Sequence, residues 1–220
     1  MPHKILRDTF VNGRYGKAAM VSSFGAESAV LLHMLAQVNP DADVLFVDTQ
    51  MLFQETLDYQ LSLAAHLGLV NVKTIRASEF LLRRQDAFGR LHLSDTDGCC
   101  QLRKIAPLEA ALAGYDAWVS GRKRHQSDSR AGLALSEIAG GRVKLNPLAN
   151  WQREDIAAYF TEHDLPRHPL AAKGFGSIGC GPCTTPVAIG EDPRAGRWRG
   201  SDKVECGIHF EGGKIVRPAA

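Results

Sequence analysis

The chain has 220 residues, 45% hydrophobic and 23% charged, with a net charge of +2 from 26 basic and 24 acidic side chains. That length and balance suit one ordinary globular domain, or one domain with a short appendage, and they exclude disorder and collagen-like repeats. The near-neutral charge argues against general affinity for nucleic acid or membranes. The longest apolar runs, such as 29–32 and 44–47, fall far short of the ~20 residues that cross a bilayer.

The N-terminus, MPHKILRDTF, lacks the basic, apolar and small-residue order of a signal peptide, so a cytoplasmic protein is expected. Residues 18–23 then read as a short strand. Ser22-Ser23-Phe24-Gly25-Ala26-Glu27-Ser28 leads from it into a helical pattern with Ala29, Val30, Leu32, Leu35 and Ala36. Residues 44–47 are a buried-strand run ending at Asp48. The stripe of Leu57, Leu61, Ala64, Ala65 and Leu67 predicts a helix over 52–67, stopped by Gly68. A strand follows at 71–75, a helix at 100–112 ended by Gly114, and strands at 115–120 and 143–145. A helix at 151–160 closes the series. Alternating strands and helices imply a parallel sheet with crossovers. After Asp164 the chain turns Gly- and Pro-rich, without a long periodic segment, and reads as a loop-rich extension.

Doubly wound sheets bind ligands at the carboxyl ends of their strands. The first strand ends in Ser22-Ser23-Phe24-Gly25, where hydroxyls, Gly25 and helix-opening amides suit a phosphate or sulfate. An ordinary serine-capped turn is the alternative. Neither GxxxxGK[ST] nor GxGxxG occurs, which disfavours P-loop and Rossmann readings. Asp48-Thr49 closes the second strand at the same edge, as a ligand contact or a helix cap. Arg122-Lys123-Arg124-His125-Gln126 follows the strand at 115–120, with Arg130 shortly after. A basic cluster at a strand end is well placed for anions.

The five cysteines are odd in number, and in a reducing compartment they point to metal binding and thiol chemistry rather than disulfides. Cys99-Cys100 and Cys180-Gly181-Pro182-Cys183 together offer four ligands, enough for zinc or an iron–sulfur cluster. Adjacent cysteines converge awkwardly on one small ion, so a 4Fe–4S cluster is the preferred expectation and zinc the alternative. CGPC also spells a thioredoxin-type motif, but no strong strand precedes it and only 37 residues follow it. Cys206, in Glu205-Cys206-Gly207-Ile208-His209, is the leftover thiol. Lys203 and His209 nearby favour its nucleophilic thiolate form, and an inert cysteine is the alternative.

Taken together, SSFGAES, CCQLRKIAPL, GRKRHQSDSR, SIGCGPCTTPV, RAGRW and KVECGIH resemble the cluster-bearing assimilatory adenylyl-sulfate (APS) reductases of the phosphoadenylyl-sulfate (PAPS) reductase family, over nearly the whole chain. The resemblance implies an adenine nucleotide alpha hydrolase-like (PP-loop) α/β fold, with a nucleotide- and cluster-binding domain over 1–190. A mobile segment over 191–220 would carry the nucleophile. It further implies that Cys206 attacks the sulfur of APS, releasing AMP and leaving an S-sulfocysteine, and that thioredoxin or a similar dithiol then releases sulfite. Lys104 would stand beside a single 4Fe–4S cluster held by Cys99, Cys100, Cys180 and Cys183, and would face the substrate. Arg130, Arg194, Arg197 and His209 would contact its anionic groups. Ser22, Ser23 and Gly25 would line the nucleotide site, with Asp48 and Arg122 at the same strand ends. PAPS-specific relatives keep the ECGIH tail but generally lack the other four cysteines, so the cysteines point to APS. A PAPS or dual-substrate reductase is the first alternative, and a PP-loop ATP-dependent enzyme with a cluster the second. A non-enzymatic zinc or redox-sensing module would instead be colourless and inactive. Neither nucleic acid nor membrane is expected as a partner, and a homo-oligomer is left open.

Overall fold

The computed structural model describes residues 1–201 together with Lys203, Glu205 and Gly207. Its centre is a sheet of six strands: β1 (Ala18–Ser22), β2 (Val44–Val47), β3 (Val72–Ile75), β4 (Ala117–Val119), β5 (Ser136–Ala139) and β6 (Arg142–Leu145), in the order β3-β2-β1-β4-β6-β5. All neighbours pair in parallel except β5 with β6. The β5–β6 hairpin turns on Gly140 and Gly141, both at positive φ (57° and 74°). A two-residue hairpin loop with both φ values positive calls for glycine.

Side chains alternate across a strand, and here both faces are covered. Met20, Val44, Phe46 and Val119 pack into one core with the helices α2 (Ser28–Val38), α3 (Gln54–Leu67) and α8 (Arg153–Glu162). Ala19, Leu45, Val47 and Trp118 pack on the other face against Leu108 and Leu112 of α7 (Ala106–Leu112). Gly68 caps α3 in the left-handed region at φ 68°, as the sequence predicts. The described residues form no helix long and apolar enough to cross a membrane.

Four features depart from the sequence reading. A helix α1 (Pro2–Phe10) buries Leu6 and packs against α2. Two short helices, α4 (Glu79–Gln85) and α5 (Leu91–Ser94), bury none of their residues, so they lack the apolar stripe that would betray them. The edge strand β5 extends the sheet beyond the expected strands. Finally, the helix expected over 100–112 is broken in kind. It runs as α6 (Thr96–Cys100), a π-helical turn over Gln101–Ile105, and α7. Pro107 has no N–H to give the carbonyl four residues back, which removes an α-helical rung beside this turn.

Successive crossovers leave β1 toward β2 and β3, and later return to its other side as β4. The crevice beyond the carboxyl ends of β1 and β4 is therefore the topological switch point, where open α/β sheets take ligands.

Candidate active site

A cleft of about 490 Å³ opens at that switch point, lined by Ser22, Ser23 and Gly25 from the end of β1 and by Ser120, Gly121 and Arg122 from the end of β4. The first loop is shaped by its buried phenylalanine. Phe24 adopts φ 48° and is fully buried, with its ring edge-on to Phe46 at 5.3 Å. Burial holds a backbone conformation that L-residues avoid. The Ser22 hydroxyl accepts the Phe24 amide at 3.2 Å, while Ser23 is exposed. A Cβ on Gly25 would lie 3.4 Å from Ser23 Oγ and 3.5 Å from the Ile178 carbonyl, so this glycine keeps the loop close to the Ile178 backbone.

The basic run after β4 divides its labour. Lys123 is buried and donates to Glu27 Oε2 at 2.7 Å and to the Gly121 carbonyl at 3.1 Å. Burial alone would raise the Glu27 carboxyl, but Lys123 and the bonds from Lys123 and Gln126 bring it below its ordinary value. Arg124 donates to the Leu133 carbonyl at 2.8 Å. Both cations thus serve the scaffold. Arg122 lines the cleft, with one end donating to Glu137. Its buried Nε has no hydrogen-bond partner among the described residues. Behind it, Lys144 is 1% exposed, lies 4.8 Å from the centre of the Trp118 ring, and is lowered by burial and by Arg122 to about 8.

Arg130, Arg194 and Arg197 also line the cleft. Arg130 is buried and forks onto Glu205, Nε to Oε1 at 2.6 Å and Nη2 to Oε2 at 2.8 Å. Arg194 Nη2 stands 3.5 Å from the same carboxylate. Arg197 lies over the Trp198 ring at 4.4 Å and makes long bonds, 3.4 Å each, to Ser177 Oγ and the Ile178 carbonyl. Its Nε is buried without a partner among the described residues. Gly179 makes room for that guanidinium, since a Cβ there would lie 2.5 Å from Arg197 Cζ.

Asp48 is not brought to the cleft lining. Its carboxylate is buried and accepts Arg76 Nε and the Gln50 amide, both at 2.8 Å. Through these bonds it orders the loop at the end of β2.

The four cysteines of the two pairs border one small cavity with Thr49, Met51, Arg103 and Lys104. Asp95 caps α6 by accepting the Gly98 amide at 2.8 Å, which sets the Cys99-Cys100 pair at the end of that short helix. The CxxC turn is a 3-10 turn over Gly181–Cys183, tied to the loop after β2 by Gly181 N to the Met51 carbonyl at 2.8 Å. Thr49 Oγ1 and Cys180 Sγ are 3.2 Å apart. Arg103 braces the loop from beneath, with Nη1 on the Thr49 carbonyl at 3.1 Å and Nη2 on Asp86 at 2.8 Å, both residues buried. Burial, with the charges of Cys100 and Cys180, pushes the Cys99 thiol up to about 12. Burial with Cys180 and Cys100 likewise raises Cys183.

Among the described residues no three His, Cys, Asp or Glu side chains meet as the ligands of a single ion. The thiols instead share a cavity wall. Four soft sulfur donors fit an iron–sulfur or zinc group, and coordination would strip the protons that burial otherwise keeps on them. Lys104 and Arg197 line both the cysteine cavity and the cleft. Lys104 sits in the π-helical turn immediately after Arg103, so one turn supplies both the brace and the shared wall. Cys206 and His209 lie outside the described residues.

Sequence reasoning missed Glu205 and Gly179. Each acts on an arginine distant in the chain or folded back over it, and no local pattern marks either role.

The phosphoadenosine phosphosulfate reductase domain family matches residues 17–186. The adenosine 5'-phosphosulfate reductase of Mesorhizobium japonicum is 50% identical over 90% of this chain and 78% of its own length. The phosphoadenosine 5'-phosphosulfate reductase of Gloeobacter violaceus is 42% identical over 88% of this chain and 82% of its own. Among solved structures, the phosphoadenylyl-sulfate reductase of Candida auris, in a phosphate complex, superposes with TM-score 0.69 at 27% identity, covering 84% of this chain and 90% of that one. Yeast FAD synthetase shares the fold alone, at TM-score 0.55 and 18% identity over 84% of this chain and 66% of that one. The switch-point cleft and the matched span agree, and the chain belongs to the phosphoadenosine phosphosulfate reductase family.

Proposed function

We propose that this chain reduces APS to sulfite and AMP in sulfate assimilation. The observation that carries this reading is the wall of Lys104 and Arg197 shared by an arginine-lined nucleotide cleft and a four-cysteine cavity. The names of its relatives from Mesorhizobium japonicum and Streptomyces coelicolor, both adenosine 5'-phosphosulfate reductases, support APS as substrate.

In the reaction, the Cys206 thiolate attacks the sulfur of APS. A sulfur–sulfur bond forms and the sulfur–oxygen bond to the phosphate breaks, its electron pair leaving with AMP. The sulfur is ringed by anionic oxygens, so attack by a thiolate needs fixed cations to offset that charge. Lys104, Arg122 and Arg197 supply them from the cleft wall, and His209 would add to them from the tail. Ser22, Ser23 and the Gly25 backbone hold the nucleotide. A thiolate of thioredoxin or a similar dithiol then attacks Cys206 sulfur, and sulfite leaves with the bonding pair. The second thiol of the donor resolves the mixed disulfide, so the dithiol provides both electrons and Cys206 returns as thiol. Cys99, Cys100, Cys180 and Cys183 would hold one 4Fe–4S cluster, which supplies a charged, polarisable group beside Lys104 when bound. The setting is cytoplasmic, where a dithiol donor is kept reduced.

Incubation with sulfur-labelled APS and no reductant tests the reading. Label on Cys206, released as sulfite by dithiothreitol or thioredoxin, is the expected result. Label on another cysteine, or none, overturns it. The relative from Gloeobacter violaceus carries the PAPS-reductase name, and comparing kcat/KM for APS and PAPS decides between the two substrates.

A further inference from the structure

Glu205 is an acid inside an anion-binding cleft. It is 2% exposed, and both its oxygens are taken by the Arg130 fork. Ser127 Oγ adds a bond at 3.3 Å. The remaining Arg130 nitrogen, Nη1, donates to Gln126. The binding edge of Arg130 is therefore spent on protein groups. Two alternate residues of the same tail are seated as well. Lys203 pairs with Asp97 and lies 5.8 Å from the centre of the Trp198 ring. Gly207 has φ 75°, and a Cβ on it would meet Ile105 Cδ1 at 2.7 Å. Lys203, Glu205 and Gly207 thus touch α6, the turn after β4, and the π-helical turn that carries Lys104. Meanwhile the Nε–H groups of Arg122 and Arg197 are buried without partners among the described residues.

We propose that Glu205 is a positioning residue that docks the tail through Arg130, and that substrate charge is met by Arg122 and Arg197 rather than by Arg130. A buried, bidentate carboxylate–guanidinium pair adds little net stability, but it fixes direction and register. Register is what a nucleophile on a tail needs, because small misplacement of reacting atoms is costly. The pair also neutralises a carboxylate that would otherwise repel an anionic substrate. This inference rests on the APS reductase reading, and it reverses the role that sequence assigns to Arg130.

The rival role for Glu205 is a placeholder that the substrate's anionic group displaces, and the two make opposite predictions. In the full-length protein with its metal centre, E205Q is expected to lower kcat at least tenfold. KM for APS and the Kd of AMP should both stay within twofold. R130Q should reproduce this pattern, and the double variant should be no worse than either single one, as expected of residues acting as one unit. E205D, which keeps the charge on a shorter arm, should recover part of kcat. Tighter AMP binding or a raised kcat/KM in E205Q overturns the proposal in favour of the placeholder. A large KM increase in R130Q with E205Q unaffected overturns it in favour of direct substrate contact. A second arm reads docking without turnover: the rate at which iodoacetamide alkylates Cys206, followed by peptide mass. It should rise several-fold in E205Q and stay near wild type in E205D. Equal rates in wild type and E205Q would refute docking even in an active enzyme, whereas absence of sulfite formation by wild type defeats the functional reading alone.

Discussion

Replacing Gly179 by alanine separates the site from the scaffold. The Gly179 backbone is outside the left-handed region, so alanine fits its conformation. The added methyl instead falls on the Arg197 guanidinium, 2.5 Å from Cζ. The obstacle is the far end of a long side chain, held by two 3.4 Å bonds and a stacked Trp198. It yields without disturbing the core, so stability should change by roughly 0.5 kcal/mol or less, as for substitutions away from packed features. The cost falls on substrate charge. A hydrogen bond to a charged group is worth about 1.5–3 kcal/mol, so kcat/KM for APS should fall roughly 10- to 150-fold. Steady-state sulfite release and thermal melting, run on the same preparations, test both halves. A kcat/KM within twofold of wild type would show that Arg197 does not meet the substrate. A large loss of stability would show that the guanidinium supports the fold.

Lys104→Ala should slow single-turnover sulfo-transfer, and AMP formation with it, at least tenfold while AMP binding and the fold stay intact; unchanged kinetics would remove Lys104 from the charge-offsetting set. Cys180→Ser should abolish the brown colour and bound iron of anaerobically purified protein, whereas Cys206→Ser should keep both and lose sulfite formation. Zinc in place of iron in the wild-type protein would refute the cluster. Acid should destabilise the fold through His168, which is 1% exposed and lowered by burial from 6.5 to about 4. Its Nδ1 accepts the Leu170 amide at 3.2 Å, and Nε2 lies 3.0 Å from Thr56 Oγ1. The unfolded chain binds the extra proton first, so this contribution is complete above about pH 6.5 and fades toward pH 4, by up to about 3 kcal/mol. Denaturant midpoints of wild type and His168→Gln between pH 7.5 and 5 should converge as pH falls; parallel slopes would contradict the assignment.

The elements legible in the sequence are those that bury a face. The strands β1 and β2 and the helices α2 and α3 follow apolar runs and stripes, and Gly68 ends α3 because its left-handed conformation suits glycine. The helices α4 and α5 bury nothing, so no apolar stripe reveals them, although the Ser78 cap, with Glu79 first and Arg83 and Arg84 last, was the available signal for α4. The adjacent Gly140-Gly141 was the available signal for the β5–β6 hairpin. In the site, Ser22, Ser23, Gly25 and Arg122 were legible as cleft lining because short motifs at the ends of β1 and β4 reach one crevice, whereas Lys104, Arg194 and Arg197 were named through the family resemblance alone. Asp48 in the structure orders the loop after β2 through Arg76 and Gln50. Glu205 stayed hidden because its partner lies 75 residues away, and no local spacing encodes that distance.

The π-helical turn makes the length of the chain between Cys100 and Pro107 a fixed quantity. Deleting one residue there would remove the wide turn, although Pro107 would still leave one α-helical rung unmade. The same deletion would rotate everything upstream by about 100° relative to α7, swinging the adjacent thiols off their shared wall and turning Arg103 and Lys104 together away from their present contacts. The irregular rung thus sets the angular phase between the thiol pair and the cleft-facing Lys104.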